Sequence, residues 1–349
     1  MLATIFQRQP VRLIRLILLG GGLTFACGAD AAAPTSAHAE VFAPGVISGP
    51  ANDAAATFTP DGKTVYFFRS NGMDYDIMLS RRGGSGRWSK PVIAPFSGHW
   101  RDLEPAMAPD GSFLVFASSR PIDASNKPID GHWGGSLHAG RGGHLWRVDR
   151  QGLGWSKPAL LPDTVNRWDS AFSPAIADDG SLYFMAATGR QGHFQVYCAA
   201  FRNGAYQPAH LLPFSADEWG GVDPAIAPDQ SFIVFASNRP PTPANGSDVF
   251  IAFRDRDGHW SEPVDLRPFI NNTDGVDELR LGADGHTLYF TTGHVVAPAY
   301  PKNLAASERG LQEMQAWNNG NDNIWKVDLA PWLQCHDRPA CRAGRDRSR

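Results

Sequence analysis

The stretch MAPDGSFLVF, residues 107–116, decides the fold, because it recurs along the chain: FTPDGKTVYF (58–67), IADDGSLYFM (176–185), IAPDQSFIVF (226–235) and LGADGHTLYF (281–290). Each copy leads from an apolar strand through a tight turn with Asp-Gly or a variant into an alternating aromatic and β-branched strand, which is a hairpin. A third strand follows each hairpin: DIMLSR (76–81), HLWRVD (144–149), QVYCAA (195–200), DVFIAF (248–253) and NIWKVD (323–328). A fourth starts with an aromatic and contains Pro: WSKPV (88–92), WSKPA (155–159), YQPAH (206–210) and WSEPV (260–264). Four antiparallel strands per unit, repeated in one order, are the blades of an all-β propeller.

The turn aspartates stand at 61, 110, 179, 229 and 284, at intervals of 49, 69, 50 and 55. The long interval leaves about 20 extra residues, too few for another four-stranded blade. The spacing therefore predicts a single five-bladed domain over 40–334. The fifth unit lacks its own fourth strand, and VFAPGVISGP (41–50), with Pro44, is the expected replacement, so that a strand from the N-terminal end closes the ring. The rival closure uses APWLQ (330–334).

The pattern resembles the WD-like propeller repeats of the TolB-like superfamily, whose hallmark is a PDG turn between an apolar inner strand and a YF-type second strand. The resemblance covers nearly all of residues 40–330. It implies a binding platform, an accessory domain of a peptidase or, occasionally, an enzyme. Such domains usually have six blades, one more than the spacing supports here.

Composition agrees and narrows the function classes. The chain has 349 residues, 42% hydrophobic, with 36 Gly, 27 Pro and 11 Trp, and a formal net charge of −3. Turn residues this frequent exclude a helical bundle, and the charge speaks against nucleic acid as a partner. Residues 1–39 read as a secretory signal peptide: Arg8, Arg12 and Arg15, the apolar run LILLGGGLTFA, then Ala37-His38-Ala39 as cleavage site, with Ala29 to Ala31 as the alternative. Thr24 stands where lipidation at Cys27 calls for an aliphatic residue. The run is too short to span a bilayer, so the mature chain is expected in the periplasm or secreted, with no membrane span. The tail 335–349 is expected to be disordered, apart from any disulfide between Cys335 and Cys341. Cys198 reads as a buried free thiol.

Strand order sends the loops entering the inner strands and the loops between second and third strands to one mouth of the channel. Two long insertions lie there, at 121–143 and 293–320, the second with a short helix expected over Leu304 to Trp317 as a lid. The entering loops bring Trp100, Trp168 and Trp219, the carboxylates Asp102, Asp169 and Asp277, and Arg101 and Arg280, with Asp53 in the first blade. Aromatic faces beside carboxylates suit a sugar or a cationic group, so these residues are the expected ligand-binding set. Packing between blades and capping of turns are the competing roles for the same residues.

Glu104, Asp223 and Glu278 hold like positions before their strands and are the candidate catalytic acids for glycan chemistry. His132, His138 and His144, with His99 and His294 in other mouth loops, are candidate ligands for a divalent metal, although no tight spacing joins them. NNTDGVDE (271–278) has the oxygen donors of a calcium loop without its full acidic alternation. No cofactor is expected. There is no G-x-S-x-G elbow, P-loop or dinucleotide fingerprint. The sequence thus points to a binding or protein-interaction scaffold for an envelope protein, a peptide or a glycan. A glycoside hydrolase or lyase using the same mouth is the alternative.

Overall fold

The computed structural model describes residues 37–188, 192–215, 219–242, 247–270, 275–295 and 297–336. Five antiparallel sheets stand in a ring, their inner strands neighbours in sequence order and the fifth packed back on the first. The inner strands are Asn52–Phe58, Asp102–Met107, Ala171–Ile176, Gly221–Ile226 and Asp277–Leu281. The second strands are Thr64–Ser70, Phe113–Ser118, Leu182–Ala187, Phe232–Ser237 and Thr287–Val295. Each blade is covered on both sides by its neighbours, so a strand such as Phe113–Ser118 is buried at every position and reads as a continuous apolar run.

The turn aspartates earn their place locally. Asp110, Asp179 and Asp229 each accept a hydrogen bond through Oδ1 from the backbone N–H two residues on, at 2.8–2.9 Å. The next residue is left-handed in every copy, which suits Gly62, Gly111, Gly180 and Gly285 and is borne by Gln230 at φ 61°. Gln230 is put to use: its Oε1 accepts from the Tyr183 hydroxyl of the preceding blade at 2.8 Å.

The fourth strands are shorter than the sequence pattern, reduced to Val92–Ile93, Ala159–Leu160, His210–Leu211 and Val264–Asp265. The proline, which has no N–H to give to the ladder, interrupts the pairing: the aromatic before it pairs near the end of the third strand, Trp88 with Arg82, Trp155 with Arg150 and Trp260 with Arg254, and the ladder resumes past the proline. The side chain of that aromatic packs between blades. Trp155 of the second blade meets Tyr66 of the first edge-on at 6.0 Å and donates from Nε1 to its hydroxyl at 3.1 Å. Trp260 of the fourth meets Tyr183 of the third at 6.5 Å.

The N-terminal segment closes the ring: Glu40–Val41 pairs antiparallel with Asn319–Asp328, and the Phe42 N–H donates to the Ile324 carbonyl at 2.7 Å. The rival segment forms a helix, Ala330–His336, and not a strand. Trp332 on it stacks on Phe253 of the fourth blade at 5.8 Å, covering the side where the fifth blade lacks its own fourth-strand tryptophan. That helix also carries order two residues into the expected tail; Cys341 and the rest of the tail, like residues 1–36, lie outside the described residues. Cys198 is a buried free thiol. Among the described residues, no helix is long and apolar enough to cross a membrane.

Candidate functional site

The inner strands share an irregularity that builds the site. In each, the register with the second strand slips by a residue, between Ala54 and Thr57, Leu103 and Ala106, Phe172 and Ala175, Val222 and Ala225, and Asp277 and Arg280. At each slip one residue is left-handed: Ala55, Glu104, Ser173, Asp223 and Glu278, with φ of 57, 54, 48, 53 and 55°. These are β-bulges, and in three blades the next residue is Pro105, Pro174 or Pro224, which cannot donate to the ladder and so favours the break. Five side chains of like position thereby ring the channel, and three of them are acids.

The acids bond across blades. Glu104 Oε2 accepts the Ser173 N–H at 2.6 Å, and Asp223 Oδ2 accepts the Glu278 N–H at 2.9 Å. Arg280 reaches from the fifth blade to the Ser173 hydroxyl at 3.0 Å and lies 3.8 Å from Glu278 Oε2, beyond hydrogen-bonding range. Glu104, Asp223 and Arg280 are at most 4% exposed.

Such crowding of acids away from water opposes ionisation. Burial, then the Asp223 charge, push Glu104 up to about 7, against the pull of the Ser173 N–H and of Arg280 and Arg101. Burial, Glu104 and Asp223 hold Glu278 well above the usual carboxylate range, and burial raises Asp223. Asp277 is pushed up to about 7 by burial and by Asp223 and Asp322. Solvent reaches Asp277 and screens its charge, whereas Glu104 is enclosed.

Above the ring opens a cavity of about 460 Å³, lined by Glu104, Asp223, Asp277, Glu278 and Asp322 together with Tyr75, Phe68, Thr291 and Arg101. Asp223 Oδ1, Glu278 Oε2, Arg280 Nη2 and Thr291 Oγ1 are shielded from water with no hydrogen-bond partner among the described residues. A larger cavity, about 610 Å³, opens among the PDG turns beside the closing strand. None of its lining residues carries a buried polar atom lacking a partner, which leaves the mouth as the candidate site.

The three proposed acids, Asp277 and Arg101 thus come together at the cavity, Arg280 stands behind it against Glu278 and Ser173, and Trp100 lines an adjoining cavity. Other expected ligand residues do not. Asp102 is fully buried in a brace, accepting from Ser97 (2.9 Å), Ser118 (2.6 Å) and Arg120 (2.8 Å), whose guanidinium also caps the Phe96 carbonyl. Asp53 with Arg69 repeats this brace in the first blade. Trp168 packs on Tyr197 at 4.4 Å. Asp169 holds His132 Nδ1 at 2.6 Å and ties the second-blade insertion to the third blade. Trp219 is half-buried and does not line the cavity.

The histidines are dispersed in structural roles. His138 stacks on Trp133 at 3.6 Å, His144 is buried, which lowers its pKa, and His294 stacks on Trp317 at 5.9 Å. Among the described residues the group able to converge on a metal is Asp255, Asp257 and His259, all exposed. Asp255 there accepts the N–H groups of Asp257 and His259, ordinary turn chemistry. Residues 271–274 of the suspected calcium loop lie outside the described residues. The expected lid is a helix, Leu304–Glu313, but none of its residues is buried or lines the cavity. Sequence reasoning missed Ser173, Thr291, Tyr75 and Asp322; Ser173 alone had a signal, its place before Pro174 matching Glu104 and Asp223.

No family model matches the chain, and no curated protein matches it in sequence. Solved structures of similar chain path include a putative TolB from Agrobacterium tumefaciens, 15% identical over 80% of this chain and 83% of that one, with a TM-score of 0.45. A thermostable family-43 glycoside hydrolase is 11% identical over 79% and 88%, with a TM-score of 0.49. Oligogalacturonate lyase from Vibrio parahaemolyticus is 11% identical over 84% and 97%, with a TM-score of 0.37. At such identities the likeness is one of fold, and the five blades stand on the sheets themselves.

Proposed function

We propose that this chain is an exported binding protein whose channel mouth takes a small polyhydroxylated ligand, such as a saccharide unit, rather than a broad protein partner. The unpartnered buried polar atoms around the 460 Å³ cavity carry the reading. Leaving such a group unmet costs roughly 1–3 kcal/mol each, and here both acceptors and donors are unmet. A hydroxyl donates and accepts at once, so a polyol answers Asp223 Oδ1 and Glu278 Oε2 as well as Thr291 Oγ1. The faces of Tyr75 and Phe68 suit the C–H side of a sugar ring. A flat protein surface cannot reach atoms this enclosed.

The same acids favour a second reading, cleavage of the bound saccharide. Glu104, poised near neutrality, has the character of a general acid, with Asp223 and Glu278 as the neighbouring carboxyls. The test is thermal unfolding of the chain with neutral and acidic saccharides, together with an assay for released reducing ends or unsaturated products. Binding should raise the midpoint by mass action and be lost in Glu278→Gln. Product formation lost in Glu104→Gln would establish the enzyme. A midpoint that no saccharide moves refutes the polyol reading and returns the search to envelope proteins and peptides.

A further inference from the structure

Among the arginines compared at the mouth, Arg101 is set apart by having no hydrogen-bond partner among the described residues. Arg69 is held by Asp53 and the Ile47 carbonyl, Arg120 by Asp102 and the Phe96 carbonyl, Arg239 by the Phe214 carbonyl and Arg280 by Ser173. The Arg101 guanidinium makes no hydrogen bond among the described residues, although its Nε and Nη1 are shielded from water. Its Cζ lies over the Tyr75 ring, 4.1 Å from the centroid, a contact that holds the guanidinium in place without using its N–H groups.

Its position matters as much. Arg101 lines the central cavity and also a second one of about 480 Å³, built from Asp76, His99, Trp100, Ser119 and Arg141 among others. Arg101 is therefore a residue shared by the walls of both cavities. An edge of parallel N–H groups is the fork that takes a carboxylate in two bonds, and Trp100 beside it offers a face to a sugar ring.

We infer that the ligand is an acidic oligosaccharide of at least two units, which passes from the central cavity into the second and sets a carboxylate on Arg101. The inference rests on the polyol reading of the central cavity and deepens it. The charge balance is consistent with it. Arg101 lines both cavities, and the raised hold of Glu104 and Glu278 on their protons lessens the negative charge beside it. Asp74 and Asp76, at the outer cavity, and His99 face the far unit, where the acids can accept from hydroxyls.

The test is calorimetric titration of the full chain at pH 6 with trigalacturonic and trimannuronic acid, their methyl esters and the free monomers. One acid trimer should bind at least about tenfold tighter than its ester and than its monomer, a fork-to-carboxylate difference of about 1.4 kcal/mol. Arg101→Gln should abolish the preference for the acid, and Arg101→Lys should keep part of it. Acid and ester binding alike in the wild type would overturn this inference and leave the polyol reading standing, whereas no binding of any saccharide would overturn both. Equal binding of monomer and trimer would overturn the second cavity's part. Tighter binding of an acidic peptide than of any trimer would overturn the choice of a saccharide. Should Arg101→Gln fail to fold, as judged by circular dichroism, the wild-type comparison of acid with ester decides alone.

Discussion

Replacing Glu104 by Gln separates a built acid cluster from an incidental one. Glu104 is buried, faces Asp223, Glu278, Arg280 and Arg101, and holds its proton up to about 7 instead of 4.5. A carboxyl whose folded pKa is raised binds a proton in the folded state that the unfolded chain has already released. Its contribution is therefore complete below about 4.5, fades as pH rises through the window to about 7, and is absent above it. At about 1.4 kcal/mol for each tenfold, that rise corresponds to roughly 3 kcal/mol, an order-of-magnitude figure. Gln keeps the shape, accepts the Ser173 N–H and never ionises. Glu104→Gln should exceed the wild type by less than about 1 kcal/mol at pH 5 and by about 3 kcal/mol at pH 8.5, a midpoint about 5 °C higher at the upper pH for a domain this size. Thermal melts at the two pH values decide it. Asp102→Asn, two residues away, is the control: it leaves Arg120 short of its anion and should destabilise by about 3 kcal/mol at both pH values. An equal offset for Glu104→Gln at pH 5 and pH 8.5, or a loss at pH 8.5, would refute the reasoning.

Two other expectations concern the ends of the chain. Trp332→Ala removes the ring that stacks on Phe253 and should cost about 3–5 kcal/mol, read as a lower melting midpoint; an unchanged midpoint would show that the C-terminal helix does not seal the fifth blade. Export with removal of residues 1–39 predicts that the protein recovered from a bacterial periplasm begins at Glu40, and an intact Met1 would speak against it.

The architecture was open to reading because its determinants are local. A turn aspartate caps the N–H two residues on, so the motif, the left-handed residue after it and the apolar runs on either side all fall within ten residues. The division of labour among the acids was not legible to the same degree. In a regular strand Asp102 and Glu104 would share a face, and the bulge at Glu104 is what sends one into a brace and the other into the channel. Pro105, Pro174 and Pro224 mark that bulge in three blades, but Ala55 and Glu278 sit at it with no proline after them. Arg120 reaches Asp102 from 18 residues away, and Tyr197 reaches Trp168 from the third strand of its blade; neither partnership has a period to betray it. The broken fourth strands were foreshadowed by their own prolines, whose lack of an N–H interrupts the ladder between the aromatic and the residues that follow.

The closing strand has a consequence for how the molecule comes into being. The Ser48 hydroxyl bonds the Ile324 carbonyl across 276 positions of sequence, so the ring cannot be completed while the chain is still being made. Four blades can assemble in order as they emerge, but the fifth waits for its own hairpin and then for the first residues of the fold to return to it. Contacts this distant in sequence slow the final step. Until then the Asn319–Asp328 strand offers an unpaired edge, and the nascent protein is most open to misassociation at the stage when nearly all of it is already folded.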